Sequence, residues 1–287
     1  MSIAINNPRL TSPVLFATGR DSIIIHAGTE ITVDGKVHGF EWETALSPPE
    51  LVPGTDYAVS LGEDGKPVVT PADKQNPIET GAFAGFHYAP GGNAPARTGG
   101  DAVPAINPAS IWDIRFRPAY CDPRGMFAFE TADSQRLWGD IYKLGRDHVT
   151  QGTSRYGVKI ADGRSLDLLD YATATAIYAG HGKRLMTYDE FKAAAVGVTE
   201  RSAAPKDPDF TGLDAARTSR WGMMQATGNL WVWGTDGDPD DPRPSIFGGS
   251  WISGSNAGSR FAILGSWPGS SIGNLSARGA CDHLSPV

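Results

Sequence analysis

Short runs of alternating apolar and polar residues dominate the first third of the chain. Ser22 to Gly28 (SIIIHAG) and Thr29 to Val33 (TEITV) are apolar and β-branched, and the Asp-Gly pair of Val33 to Lys36 (VDGK) marks a hairpin turn between strands. Tyr57 to Leu61 and Pro67 to Thr70 flank a second such turn, GEDGK. From Val14 to about Thr70 the pattern therefore predicts short strands, and no helix is predicted before residue 130. Gly91 to Gly100 (GGNAPARTGG) reads as a loop. Ser110 to Pro118 alternates as a strand should, Asp122 to Gly125 (DPRG) is a turn, and Met126 to Phe129 is a further strand. Helices are predicted at Trp138 to Leu144 and Arg164 to Tyr178. A third begins at Thr187, where Glu190 three residues on completes a capping box, and runs to about Val196 with Gly197 to end it. After Gly222 the pattern returns to strands and loops, and no repeat of fixed period occurs. The expectation is an α+β, mostly β chain with a β-sandwich-like domain over 1–117 and a second domain over 118–287.

Composition narrows the function classes. The 287 residues are 40 % hydrophobic and 20 % charged, enough to bury a core, and the eight Trp argue for order despite 35 Gly and 21 Pro. A net charge of −7 without a basic stripe argues against nucleic acid as a partner. No apolar run reaches the ~18 residues of a membrane span, and the N-terminus lacks the basic-then-apolar layout of a signal peptide. The expectation is a chain made in a cytoplasm that stays there or leaves as part of a particle. Cys121 and Cys281, far apart in sequence, are read as buried free thiols, neither a disulfide framework nor a zinc site.

One stretch resists the ordinary categories. Phe247 to Leu284 is rich in Gly and Ser yet carries Trp251, Phe261, Ile263, Leu264 and Trp267. A flexible linker has no use for such side chains. The combination suggests a rigid frame bearing small, changeable residues.

Four motifs resemble known families. Gly182 to Phe191 (GKRLMTYDEF), Ala226 to Gly234 (ATGNLWVWG), and Phe247 to Trp251 (FGGSW) with Ser259-Arg260 resemble elements of C-type lectin folds of the formylglycine-generating-enzyme subtype. Ala277 to Leu284 (ARGACDHL) resembles the ending of the phage major tropism determinant family, the variable proteins of diversity-generating retroelements. Upstream motifs extend the likeness from about residue 50 to 284: Gly54 to Ala58, Gly85 to Gly91, Ile111 to Pro118, Asp122 to Met126, Asp140 to Tyr142 and Ile160 to Gly163. No counterpart of the family's additional N-terminal β-prism is expected from this sequence.

The resemblance implies a C-type lectin fold for the second domain, with a variable region about 247–284. Trp231, Trp233, Trp251, Arg260 and Arg278 would be frame. The diversified, ligand-binding positions would be Ser250, Ile252, Ser253, Gly254, Asn256, Ile263, Gly265, Ser266, Ser270, Ile272, Asn274 and Leu275. In the family, random replacement of template adenines turns an Asn-type codon into codons for Ser, Gly, Ile, Leu, Asn and others, never Lys, Glu, Gln, Met or Trp, and all twelve residues belong to the reachable set. The implied function is a variable receptor-binding protein at the tip of a phage tail fibre in the virion. Its partners would be a bacterial surface macromolecule, a protein by expectation, and other tail-fibre proteins, and it would be a homotrimer. The alternative is a host-encoded variable protein displayed on the bacterial cell surface. An oxidase related to formylglycine-generating enzymes would need a cysteine pair near the C-terminus, where the sequence offers only Cys281. No catalytic residue, metal or cofactor is expected.

Several features also have plain structural readings. By strand periodicity alone Ile263 and Ile272 would be core, and Trp267 is either an exposed anchor or a loop-packing residue. Cys281-Asp282-His283 alternate across a strand and so do not converge on a site. The acidic run Asp236 to Asp241 suits a solvated loop better than a calcium site, lacking the closing Glu of an EF-hand. His148 and His181 have no partner visible in the sequence.

Overall fold

The computed structural model describes residues 2–72, 75–237, 240 and 243–284. Its first part, among these residues, is built from β1 (Ile3–Asn6), β2 (Leu15–Ala17), β3 (Ile23–Ile25), β4 (Thr29–Val33), β5 (Lys36–Phe40), β6 (Thr44–Ala45), β7 (Thr55–Leu61), β8 (Pro67–Pro71), β9 (Ala84–Ala89), β10 (Ala105–Ile106) and β11 (Trp112–Asp113). They form three antiparallel sheets, ordered β1-β4-β5, β2-β3-β6 and β10-β9-β7-β8, with β11 also on β9. The predicted turn residues make the hairpins. Asp34 and Gly35 both take positive φ, 47° and 84°, as a two-residue turn between twisted strands requires. In β3 the three isoleucines alternate, Ile23 and Ile25 buried and Ile24 partly exposed, and the buried pair joins Val14, Ile31, Tyr57, Val59 and Phe86 in one core.

The second part contains β12 (Met126–Glu130), β13 (Arg136–Asp140), α1 (His148–Gln151), α2 (Tyr171–Gly180), β14 (Arg184–Leu185), α3 (Tyr188–Ala194), β15 (Trp231–Gly234), β16 (Ser245–Phe247), β17 (Ala262–Ile263), β18 (Leu275–Ser276) and β19 (Gly279–Asp282). One sheet runs β12-β13-β19-β14, so the last strand of the chain lies between β13 and β14. The other runs β17-β16-β15-β18 and contains a parallel pair, β15 with β18. Helix α3 packs its Phe191 on Phe247 at the end of β16, ring centroids 5.3 Å apart.

Three element predictions need correction. Trp138 to Leu144 is no helix: Trp138 is in β13, paired with Ala128 and Cys281. Every residue from Leu137 to Leu144 is buried, and a run buried on all sides carries no period to distinguish strand from helix. The helix expected from Arg164 begins at Tyr171, where Asp170 caps it by accepting from Thr173 N at 2.8 Å. The strand expected over Ser110–Pro118 shortens to β11, because the buried Asp113 carboxylate accepts from the N–H groups of Arg115, Phe116 and Val14 at 2.7–2.8 Å and turns the chain. The Thr187 capping box is present: Thr187 Oγ1 accepts from Glu190 N and Glu190 Oε2 accepts from Thr187 N. Arg184 adds a fork onto the same carboxylate, both contacts at 2.7 Å.

A buried polar network connects the two groups of sheets. Asp56 on β7 accepts from Gly125 N at 2.9 Å, pairs with Arg155 at 3.0 Å and meets His87 at 3.0 Å; His87 bridges onward to Tyr142 Oη at 2.9 Å. Burial works to raise the Asp56 pKa, but His87, Arg155 and the Gly125 N–H outweigh it and hold the carboxyl below its ordinary value.

Candidate ligand-binding surface

The C-terminal stretch is held by backbone bonds to a buried frame. Trp233 is fully buried, its Nε1 donating to Leu169 O at 3.2 Å. Arg278 is also buried and donates to the carbonyls of Asp140, Ile141 and Met224 at 2.6–2.7 Å, tying three segments together. After β16, Gly248 and Gly249 take positive φ, 88° and 76°. A Cβ at Gly249 would lie 2.7 Å from Asn256 O and 2.8 Å from Ala257 Cα, so the turn over 250–256 folds directly onto this glycine.

That turn is internally bonded: Ser250 N donates to Ser253 Oγ at 2.9 Å, Ser253 N to Ser250 O and Asn256 N to Ser253 O, each 2.9 Å. Trp251 N donates to Asn229 O and Trp231 N to Asn274 O, so the turn and the Asn274 segment abut at the start of β15. Asn274 Nδ2 reaches Ser250 Oγ at 3.4 Å. The intervening stretch is moored as well. Ser266 N donates to Pro244 O, Tyr171 N to Pro268 O, Leu169 N to Ser271 Oγ and Gly163 N to Ile272 O. At Gly163 a Cβ would sit 2.2 Å from Ile272 N, so glycine is required for this close approach.

On this frame Ile252, Gly254, Asn256, Ile263 and Ile272 are exposed, the isoleucines by 62 %, 47 % and 50 %. Ser253, Gly265, Ser266, Ser270 and Asn274 are half-buried. Ser250 and Leu275 are different: both are buried and present nothing to solvent. Leu275 pairs with Trp231 in β18 and packs in the core with Trp233 and Leu185. The Ser250 hydroxyl is used inside its turn. The core reading of Ile263 and Ile272 therefore fails, and Trp267 is 68 % exposed beside them. Arg260, expected in the frame, is exposed instead, and its carbonyl accepts from Tyr188 Oη at 2.8 Å.

Sequence reasoning missed a groove of about 1120 Å³ alongside α3, bordered by Glu130, Tyr188, Lys192, Trp221, Glu200 and Arg260. Its walls come from segments far apart in the chain, so no local motif announces it. The other expectations resolve individually. His283 Nδ1 accepts from Trp138 Nε1 at 2.9 Å, and burial, with Arg136 nearby, lowers its pKa to about 4. Asp282 faces Arg184 at 3.2 Å, so Cys281, Asp282 and His283 diverge. His148 and His181 do have partners, their rings meeting edge-on at 5.8 Å. Asp236 accepts from Tyr188 N at the start of α3; Asp238 and Asp241 of the acidic run lie outside the described residues. Cys121 and Cys281 are free and buried, but side by side rather than apart. The sequence argument against an oxidase-like cysteine pair, which rested on their separation, therefore does not hold in space.

Known proteins resemble this chain over nearly its whole length, further than the motifs reached. The family described as Mtd second domain matches residues 13–113. The tail fiber receptor-binding protein of Bordetella phage BPP-1 is 38 % identical over 316 residues, covering 93 % of this chain and 81 % of the relative. The solved structure of the Major Tropism Determinant U1 variant superposes with a TM-score of 0.89 at 36 % identity, covering 98 % of this chain and 86 % of that one. The I1 variant gives 0.90 at 35 % identity, with 99 % and 86 % covered.

Proposed function

This chain belongs to the phage major tropism determinant family, and from that premise we propose that it is the receptor-binding protein of a tail fibre, located in the virion tail and binding a bacterial surface receptor. The observation that carries this reading is the display of Ile252, Ser253, Gly254, Asn256, Ile263, Gly265, Ser266, Ser270, Ile272 and Asn274 at the surface of a backbone-bonded frame. These are ten of the twelve positions at which a retroelement-diversified protein of this kind would vary. Small and polar members supply adaptable hydrogen bonds, and the exposed isoleucines supply apolar contact. Because the frame is fixed beforehand, little ordering entropy is lost on binding. Ser250 and Leu275 enter this reading only as internal supports.

In the same reading the second part, 118–287, is a C-type lectin fold of the formylglycine-generating-enzyme subtype, and 1–117 is a separate β-sandwich-like domain. The chain acts by binding, without catalysis or cofactor, as the receptor-binding description of its phage relative suggests. It assembles as a homotrimer, and the receptor is a protein. The phage origin of that relative favours a tail fibre over a host-encoded display protein.

Binding of the purified protein to intact bacterial cells tests the reading. Replacing Ile252, Ile263 and Ile272 by Ser should weaken binding at least about tenfold, since each buried isoleucine contributes roughly 1.5–3 kcal/mol. Val37→Ser, an exposed position on β5, should leave binding unchanged. Equal binding by both variants would refute the assignment of this face.

A further inference from the structure

Away from the displayed face, the fold joins two thiols that the sequence holds 160 residues apart. Residues Pro118 and His283 form an antiparallel bridge, and Ala119 N donates to Asp282 O at 2.9 Å. The chain thus crosses beside the end of β19 just before Cys121. Both cysteines lie in one buried cluster with Met126 and Trp138. The crossing sets Tyr120 and Cys121 next to Cys281, close enough for the two thiols to influence each other's ionisation. Cys121 has a further sulfur contact, to Met126 Sδ at 3.4 Å.

The two sulfurs are not equivalent. Cys281 borders a cleft of about 180 Å³ with Tyr120, Gly182, Lys183, Arg184 and Asp282, while Cys121 is not among the cleft's walls. The neighbouring Cys121 thiol, with backbone N–H groups and Lys183 nearby, holds the Cys281 thiol below its ordinary pKa despite burial. The neighbouring Cys281 thiol, together with burial, pushes the Cys121 thiol up. Cys281 thus borders the cleft and is the more readily ionised of two buried thiols, with Cys121 beside it. Attacking and resolving thiols are arranged in this way in redox-active pairs.

We propose that Cys121 and Cys281 are such a pair, closing to an intramolecular disulfide by exchange with a low-molecular-weight disulfide that enters the cleft. The Cys281 thiolate attacks one sulfur of the small disulfide; its S–S bond breaks and one small thiolate leaves, taking up a proton. Cys121 then gives its proton to solvent, its sulfur attacks the Cys281 sulfur, and the second small thiolate departs. Two protein thiols are oxidised and one small disulfide is reduced to two thiols. The bond would fasten β19 to the segment that leads out of the first group of sheets, closing a loop of 160 residues. Such a crosslink suits a protein that is made in a reducing cell and used outside it. It does not depend on what the displayed face binds.

Incubation of the folded full chain with oxidised glutathione, followed by alkylation in denaturant and intact-mass measurement, tests this. The wild type should end two hydrogens lighter, with neither alkyl group nor glutathione attached. Cys121→Ser should stop at a single, stable glutathione adduct on Cys281, and Cys281→Ser should react at least about tenfold more slowly. The oxidised wild type should melt about 5 °C or more above the reduced protein, because the crosslink restricts the unfolded chain. Wild-type protein that retains two alkylatable thiols, or a persistent glutathione adduct, would overturn the proposal. The wild-type mass alone decides it should either variant fail to fold.

Discussion

At the scale of single residues, neighbours in sequence have opposite fates in the C-terminal stretch. Ile272 and Leu275 are both apolar and three residues apart, yet one is half exposed and the other is buried against Trp233. The difference lies in backbone pairing: Leu275 enters β18 beside β15, while Ile272 precedes that strand and accepts from Gly163 N. No sequence pattern distinguishes them, because the residues that cover Leu275 come from α2, β14 and β15. The predicted consequences separate cleanly. Leu275→Ala should cost about 2–5 kcal/mol of stability through the cavity it leaves. Ile252→Ser should change stability by no more than about 0.5 kcal/mol while weakening binding to cells. Urea titrations of both proteins check the first quantity, and cell-binding isotherms the second.

At the scale of elements, what was legible followed from local chemistry. The Asp34-Gly35 hairpin and the Thr187–Glu190 capping box are specified by residues within a few positions of one another, and both are present. The apolar pattern does not identify Trp138 as a strand residue because its strand is covered on both faces, and it does not mark the start of α2 because the signal there is the cap at Asp170 rather than the apolar run before it. The Asp56–His87–Tyr142 network was invisible for a different reason: its members come from β7, β9 and the segment after β13. It makes a pH-dependent prediction. Asp56 is held below its ordinary pKa in the folded chain, so its contribution to stability is present above the unfolded value, near 3.9, and is lost as pH falls through the folded one. Asp56→Asn should cost about 3 kcal/mol at neutral pH by leaving Arg155 and His87 without their buried carboxylate. The variant should also lose less stability than the wild type on acidification. Denaturant titrations of both proteins at pH 7 and pH 3 measure the difference.

At the scale of the whole molecule, the last strand is an interior strand. β19 lies between β13 and β14, and Arg278 just before it grips the carbonyls of Asp140, Ile141 and Met224. The stretch from Gly248 to Asn274 is therefore anchored at both ends in sheets, which allows the displayed side chains between them to change with little effect on the fold. The general character of this stretch, large apolar residues within Gly and Ser, was legible; which positions face outward was only partly so, since Ser250, Arg260 and Leu275 went the other way. A modest apolar face on one chain gains apparent affinity when copies are joined. If the proposed homotrimer holds, mass measurement in solution at micromolar concentration should give three chains, and a monomer would remove the homotrimer from the account.

The most direct test exchanges the face itself. The ten displayed residues, from Ile252 to Asn274, would be replaced together by those of another family member with a different host range, and binding to both bacterial strains measured beside the melting temperature. The account predicts that the preferred strain switches while melting changes by only a few degrees. Unchanged preference in a well-folded protein would show that the receptor is recognised elsewhere.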